Sequence, residues 1–297
     1  MPDILSSALC IEIRTSRFGV KRKVSSDQVQ VDADKRLIHV SKDILESKTL
    51  DAIIKAQARW KKWIDARTVP CTLFRRGVRF VRPKLVPIID AKVQDEFIPE
   101  GDVLIQKFED EYDTIVAAAK LNLNGLFDEA DYPPKSELRD AFDFTVTYPS
   151  IGTSSALADV SPAIYARETA RDSEAAASAV DKVRDFLRQS FKGIVERYVA
   201  LKPKGDGKKP RVYDTLITSL LEYIETFEDR NLAADDELAA LVSRAKEIVA
   251  GITAERLRDD EATRSAVQAE MASLSAALNP LVGGRQILFD DVEPAAA

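Results

Sequence analysis

The chain has 297 residues, 45% of them hydrophobic, and can therefore bury a sizeable core within one large domain or two ordinary ones. Its two cysteines and single histidine exclude a disulfide framework, a thiolate metal cluster and a multi-histidine metal site. The net charge of −6 conceals two opposite blocks, because residues 1–84 hold 19 Lys and Arg against 9 Asp and Glu, whereas residues 85–151 hold 5 against 15. This polarity indicates that the basic block meets an anionic surface, either an external polyanion or the acidic block of the same molecule.

Short alternating segments near the N-terminus predict a small antiparallel sheet. Apolar alternation marks residues 8–14, 28–31 and 36–40 as strands, and His39 is expected to be an ordinary residue of the last one. The basic segment 14–23 lies between the first two of these strands. We expect it to form an exposed loop or hairpin tip.

Residues 49–67 are predicted to form an amphipathic helix, because Trp60 and Trp63 fall on its apolar stripe while lysines and arginines fall on another. The two tryptophans fit a role in the core better than the alternative of stacking on bases. After Pro70 ends the helix, residues 72–82 alternate apolar and basic side chains about Gly77. This pattern predicts an extended ribbon or hairpin with arginines on one side.

The acidic block predicts one or two helices over residues 88–120, broken around Pro99, with Val103 and Phe108 facing inward. This acidic-faced helix and the basic-faced helix before it are expected to pair in antiparallel fashion. Beyond a loop rich in Asn, Asp and Pro, the alternation of residues 142–148 predicts a strand that returns to the N-terminal sheet.

The C-terminal half is predicted to be helical. Ser161 and Pro162 are typical of a helix start, and apolar residues spaced by three, four and seven predict a long helix to about residue 201. After a basic turn at 202–211, similar spacing recurs up to Pro280 and favours a long helical hairpin or bundle with coiled-coil character. The tail combines apolar and acidic residues, a composition that suits a docking peptide or a segment folding back onto the basic region.

These patterns together predict an α+β, mostly helical fold with a small N-terminal antiparallel sheet. The expected divisions are a basic and acidic α+β domain at 1–155, a helical bundle or coiled-coil domain at 156–282 and a tail at 283–297. No stretch of 18 apolar residues and no signal-peptide pattern is present, so we expect a cytoplasmic protein.

Four short motifs in residues 8–151 resemble the domain of unknown function 3150, a family of uncharacterised phage and mobile-element proteins. They are a lysine-rich opening hairpin, a Trp/Arg helix before the Gly-Val-Arg-Phe of residues 77–80, Phe108 with Tyr112 four positions later, and Phe142 with Phe144. The resemblance implies phage or mobile-element DNA metabolism, in the host cytoplasm if the protein is phage-encoded. It also implies an AAA+ ATPase of the MoxR or CobS type as a partner.

Nucleic-acid binding requires phosphate-neutralising side chains on one surface, preferably with aromatic groups that stack on bases. The opening basic segment, one helix face and the arginine ribbon supply such residues. The candidate interface residues are Arg14, Arg17, Phe18, Lys21, Arg22, Lys23, Lys55, Arg59, Lys62, Arg75, Arg76, Arg79 and Arg82. The alternative is that these cations form salt bridges within the molecule.

We therefore expect a non-enzymatic, nucleic-acid-binding (DNA) protein that forms a homo-oligomer and acts on single- or double-stranded DNA. The sequence shows no nucleophile motif, metal-ligand pattern or glycine-rich phosphate loop, so neither a catalytic site nor a cofactor or metal is expected. The competing hypothesis is a protein-interaction adaptor or assembly factor, whose charge complementarity is internal and whose helical half recruits the AAA+ ATPase.

Overall fold

A computed structural model describes residues 8–25, 39–71, 77–150, 152–201 and 214–282 of the chain. The chain divides into two compact units that are each assembled from separate segments. The first unit comprises residues 1–11, 65–86 and 148–297, and the second comprises residues 12–64 and 87–147. The sequence places one boundary near residue 155, and the nearest change of unit lies at Tyr148.

Six short strands form the β structure of the described residues. They are β1 (Leu9–Ser16), β2 (Lys21–Val24), β3 (Val40–Asp43), β4 (Val69–Pro70), β5 (Val78–Val81) and β6 (Asp143–Thr147). The order in the four-stranded sheet is β4-β5-β1-β6, and β2 pairs with β3 in a separate hairpin. β6 runs antiparallel to β1, with Glu12 opposite Thr147 and Ser16 opposite Asp143. The predicted return of this strand to the N-terminal sheet is confirmed.

The basic segment 14–23 differs from the expected loop. Its first residues complete β1, and Lys21–Val24 forms β2, which pairs antiparallel with β3. Exposure alternates along β2, with the first and third residues exposed and the second and fourth half-buried. A strand forms because this alternation gives the hairpin one packed face, which charge density alone did not indicate. The strand expected at 28–31 and most of the one expected at 36–40 lie outside the described residues.

Helices make up most of the described chain. They are α1 (Lys48–Asp65), α2 (Val86–Lys92), α3 (Ile98–Leu123), α4 (Ala156–Val160), α5 (Pro162–Val199), α6 (Asp214–Arg230), α7 (Asp236–Val249), α8 (Ala254–Asp259) and α9 (Glu261–Leu278). A π-helical turn at Val93–Phe97 separates α2 from α3, and Pro99 lies in the first turn of α3, where a missing N–H is tolerated. The α+β, mostly helical fold is confirmed.

The core of the first unit is built mainly by α5 and the helices that follow it. Ser161 caps α5 by accepting a hydrogen bond from the Ile164 amide, and Pro162 follows at the first helical position, as predicted. Buried side chains of α5, including Leu187 and Phe191, belong to one apolar cluster with residues of α6, α7, α8 and α9. No helix among the described residues is long and apolar enough to cross a membrane.

Cys10 and Cys71 also lie in the core of the first unit. Both are buried free cysteines, as predicted, and their Sγ atoms are 3.9 Å apart. Hydrogen bonding between the two thiols, together with burial, raises the pKa of Cys10 far above its usual range. The Cys10 thiol is therefore protonated, and both sulfur atoms serve as packing atoms.

The second unit has its own core, formed around the α1–α3 pair. Its buried residues are Phe18, Ile44, Leu45, Leu50, Ile53, Phe108, Tyr112, Leu138 and Phe142. Thr49 contacts Glu111 near one end of the pair and Arg59 contacts Glu100 near the other, so the predicted antiparallel arrangement is confirmed. Val103, expected inward, is 55% exposed. It lies five positions before Phe108, about 140° away around the helix, so the two cannot share a face.

Candidate nucleic-acid interface

Three exposed cations lie within seven residues of one another in the second unit. Lys21 and Lys23 occupy the exposed face of β2, and Arg17 is exposed in the turn before it. In the hairpin, Lys21 lies opposite Asp43 and Lys23 opposite Ser41. None of the three forms an ion pair with a carboxylate of the described residues. We call Arg17, Lys21 and Lys23 the basic hairpin surface.

The other face of the same hairpin is neutralised internally. Arg22 and Lys42 lie directly opposite each other in the β2–β3 register, and both bind Asp131. The distances are 3.4 Å from Arg22 Nε to Oδ1 and 2.7 Å from Lys42 Nζ to Oδ2. One carboxylate therefore bridges two like charges and lessens their repulsion across the strands. Arg22 is a structural residue of the hairpin rather than a free phosphate ligand.

Asp131 and Lys42 were not found by reasoning from the sequence. Asp131 lies in a short 3₁₀ turn far along the chain from β2. The same loop is tied to the end of β3, because Tyr132 donates its hydroxyl hydrogen to the carbonyl oxygen of Ile44. No local pattern signals this pairing. In a strand, the alternation of side chains places Arg22 on the face opposite Lys21 and Lys23, but the segment was expected to be a loop or hairpin tip.

Phe18 is a correction to the candidate interface. Its side chain is 5% exposed and packs against Phe108 and Tyr112, with ring centroids 6.2 and 6.4 Å away. A ring held in this way cannot stack on a base. Its position within a basic segment suggested exposure, but the hydrophobic effect places this large apolar ring in the core of the second unit.

Trp60 is a core residue, as predicted. It is 2% exposed, stacks on Phe97 at 5.5 Å, meets Phe144 edge to face at 5.0 Å and donates its indole N–H to Glu100 at 2.9 Å. Trp63 is half-buried, with its ring edge to face with Phe97. The tryptophans thus fix α1 within the second unit.

The basic stripe of α1 lies on the side of the helix opposite its contact with β1. Gln57, on the buried side of α1, donates to the carbonyl oxygens of Ser16 and Asp143 and so contacts the end of β1. Lys55 and Arg59 lie two positions before and after Gln57, each about 200° around the helix from it. The end of β1, directly before Arg17, therefore packs on the side of α1 opposite Lys55 and Arg59.

Members of the α1 stripe differ in how they are engaged. Arg59 binds Glu100 through two contacts of 2.6 and 2.5 Å, and this hydrogen bonding lowers the pKa of Glu100 against the opposing effect of desolvation. Lys55 is exposed and has no ion pair with a described carboxylate. Lys62 is also exposed, but its side chain already interacts with another group of the protein. Only part of the predicted helix face is therefore available to a polyanion.

Arg79 of β5 and Arg82, which follows that strand, are structural residues of the first unit. Arg79 lies 3.1 Å from the Asp65 carboxylate and donates to the Thr68 hydroxyl at 2.6 Å. Arg82 donates to the carbonyl oxygen of Asn231 at 2.8 Å. These guanidinium groups link β5 and the residue after it to Asp65, Thr68 and Asn231. Arg75 and Arg76 lie outside the described residues.

Arg14 is partly engaged within the second unit. Its guanidinium group contacts the carboxylate of Glu12 at 3.0 Å, and its side chain is 57% exposed. The described residues contain no cluster of three or more His, Cys, Asp or Glu side chains suited to a metal ion. Comparison of the chain with models of protein families, with curated proteins and with solved structures found no match. Its function is therefore argued from these residues.

Proposed function

We propose that this protein binds nucleic acid, with DNA as the ligand, through the basic hairpin surface, and that it is a non-enzymatic component of phage or mobile-element DNA metabolism. One observation carries the proposal. Arg17, Lys21 and Lys23 are exposed and without a described ion pair, whereas Arg22 and Arg59 are neutralised within the second unit. Exposed, uncompensated cations are the groups that phosphates bind.

The hairpin geometry indicates the kind of contact. Lys21 and Lys23 point to the same face of β2 and are about 7 Å apart along the strand. Since Phe18 is in the core, the described part of this surface presents no aromatic ring to stack on bases. Binding through phosphates alone positions the nucleic acid without reading its sequence. We therefore propose that the protein binds DNA with little preference for base sequence.

The direct test is fluorescence anisotropy of labelled single- and double-stranded DNA. The variant Arg17→Glu/Lys21→Glu/Lys23→Glu should bind about tenfold more weakly or worse and should lose about one unit of salt slope for each contact removed. The matched control is Lys107→Glu/Lys135→Glu/Lys246→Glu, which alters three exposed lysines and makes the same change in net charge. Equal affinity of the two variants would contradict the assignment of the interface.

A second candidate is supported by the internal ion pairs. Asp131 binds Arg22 and Lys42, Glu100 binds Arg59 and Asp65 binds Arg79, so part of the basic block is paired within its own unit. This favours a protein-interaction adaptor or assembly factor. The resemblance to the domain of unknown function 3150 family suggests an AAA+ ATPase of the MoxR or CobS type as its partner.

Two measurements separate the candidates. Under the first, DNA affinity falls steeply as salt rises, because phosphate binding releases counterions. Under the second, DNA binding is absent at low salt, and association with the ATPase persists at high salt. We also propose a homo-oligomer, and light scattering after gel filtration tests this directly: a monomeric mass at working concentrations excludes it.

A further inference from the structure

The turn after α3 holds an asparagine in an unusual backbone conformation. Asn124 has φ 45° and ψ −118°, a combination that L residues rarely adopt. Both Asn124 and the following Gly125 are exposed. The backbone is held in place from both sides, because the Asn124 amide donates to Lys120 and its carbonyl oxygen accepts from Phe127.

This backbone conformation supplies one torsion of the ring that the asparagine side chain can close with the next nitrogen. At an L residue the Cβ atom is rotated by about 120° from the backbone nitrogen around the Cα–C bond, as tetrahedral geometry requires. A ψ of −118° therefore places Cβ of Asn124 almost eclipsed with the backbone nitrogen of Gly125. This is the torsion found in a planar five-membered ring closed between the asparagine side chain and the next nitrogen.

We propose that Asn124 is a site of self-modification by deamidation through a succinimide. The Gly125 nitrogen attacks Cγ of Asn124, a C–N bond forms, and the side-chain nitrogen leaves as ammonia with the proton of the Gly125 amide. Water then opens the ring at one of its two carbonyl groups. Opening at one carbonyl yields aspartate, and opening at the other yields isoaspartate, in which the backbone continues through the former side chain.

The surroundings of Gly125 leave this reaction unhindered. A Cβ atom built on Gly125 would meet no atom within 4 Å, so the space beside this residue is open. The side-chain amide of Asn124 has no hydrogen-bond partner among the described residues, so no hydrogen bond there keeps it away from the Gly125 nitrogen.

The three other asparagines of the chain serve as internal comparisons. Asn122 lies within α3 and precedes a leucine, and Asn231 is buried with its side-chain oxygen accepting from the Asp235 amide. Asn279 precedes a proline, which has no N–H to attack with. We therefore expect modification to concentrate at Asn124.

The product would disturb the support of the basic hairpin. The carbonyl oxygen of Leu126, in the same turn, accepts from Lys42, and Phe127 stacks on Tyr132 at 4.9 Å beside Asp131. Isoaspartate lengthens the backbone by one methylene group and adds a negative charge at the C-terminal end of α3, where negative charge is unfavourable. Modification should therefore loosen the loop that carries Asp131.

The test is incubation of the folded full-length protein in mildly alkaline buffer, followed by trypsin digestion and mass spectrometry. The peptide of residues 121–135 contains both Asn122 and Asn124, and its fragment ions distinguish them. We expect the mass increase of an amide-to-acid conversion at Asn124, with aspartate and isoaspartate products, and no detectable conversion at Asn122. Persistence of the Asn124 amide at the level of Asn122 would overturn the proposal.

The control variant is Gly125→Ala, whose methyl group fits the open space but crowds the attacking nitrogen. Its conversion at Asn124 should be largely lost while its circular dichroism stays unchanged. The wild-type protein unfolded in urea supplies the second comparison. Conversion in the folded state should match or exceed that of the unfolded chain, because the turn already has the ring torsion. Slower conversion in the folded state would contradict the geometric argument.

Discussion

Arg188 and Asp235 show how a single charge pair supports the first unit. Their side chains are 13% and 2% exposed, and two contacts of 2.6 and 2.9 Å join them. Asp235 also caps α7 by accepting from the Leu238 amide. Desolvation alone would raise the pKa of Asp235, but the hydrogen bonds from Arg188 and the Leu238 amide outweigh it and hold the pKa below its usual value.

Replacing Asp235 with asparagine should lower the free energy of unfolding by about 2 kcal/mol at neutral pH, because a charged hydrogen-bond pair is lost. Since the folded pKa is depressed, this stabilisation is present above the unfolded pKa and is lost as pH falls through the folded pKa. Urea denaturation over a series of pH values should therefore show wild type and Asp235→Asn converging in acid.

Glu237 provides the control for this pair. It contacts Arg188 at 2.9 Å, but its side chain is 68% exposed, so solvent screens the interaction. Glu237→Gln should leave the unfolding free energy nearly unchanged at neutral pH. If the difference in unfolding free energy between wild type and Asp235→Asn stays constant down to acid pH, the charge of Asp235 is not the cause of that difference.

At the scale of elements, the α1–α3 pair depends on a glycine. A Cβ atom at Gly101 would lie 3.1 Å from Cη2 of Trp60. The indole ring cannot move aside easily, because Phe97 stacks on it and Glu100 accepts its N–H. Gly101 therefore allows α1 and α3 to approach closely, although glycine lowers helix propensity.

Gly101→Ala should lower the free energy of unfolding by about 1 kcal/mol, because overpacking costs more than the gain in helix propensity. The matched control is Gly193→Ala in α5, where an added Cβ meets no atom within 4 Å. That change should raise stability by about 0.5–1 kcal/mol. Thermal unfolding of both variants measures whether Gly101→Ala lowers the stability and Gly193→Ala raises it. If the Gly101→Ala variant is more stable than wild type, the Trp60 ring must move to make room for the added methyl group.

At the scale of the whole molecule, charge works against nucleic-acid binding. The net charge is −6, so DNA is attracted only by a local surface. Three phosphate contacts predict a slope of log affinity against log salt of about −2.7 for duplex DNA, which is about a 6.5-fold loss of affinity on doubling the salt concentration. Titrations at several salt concentrations measure this slope. A slope near zero would exclude contacts with phosphates.

The folded chain also shows which features local pattern could predict. Helical periodicity and local caps located α1, α5 and the Ser161 start, and alternation located β6, because these signals act between residues close in sequence. The burial of Trp60 followed from the same periodicity. The candidate nucleic-acid interface was predicted less completely. Phe18 and Arg22 both belong to the basic segment, yet Phe18 is buried and Arg22 is paired with Asp131.

The amino-acid sequence by itself determined the mostly helical α+β character, the polarised charge and the concentration of cations near the N-terminus. Tertiary structure alone decided which cations stay available, because Asp131 and Glu100 reach Arg22 and Arg59 from distant parts of the chain. It also decided that two compact units are each built from separate segments. The physical reason is that ion pairing and apolar burial depend on distance in space, whereas propensity and periodicity depend on distance along the chain.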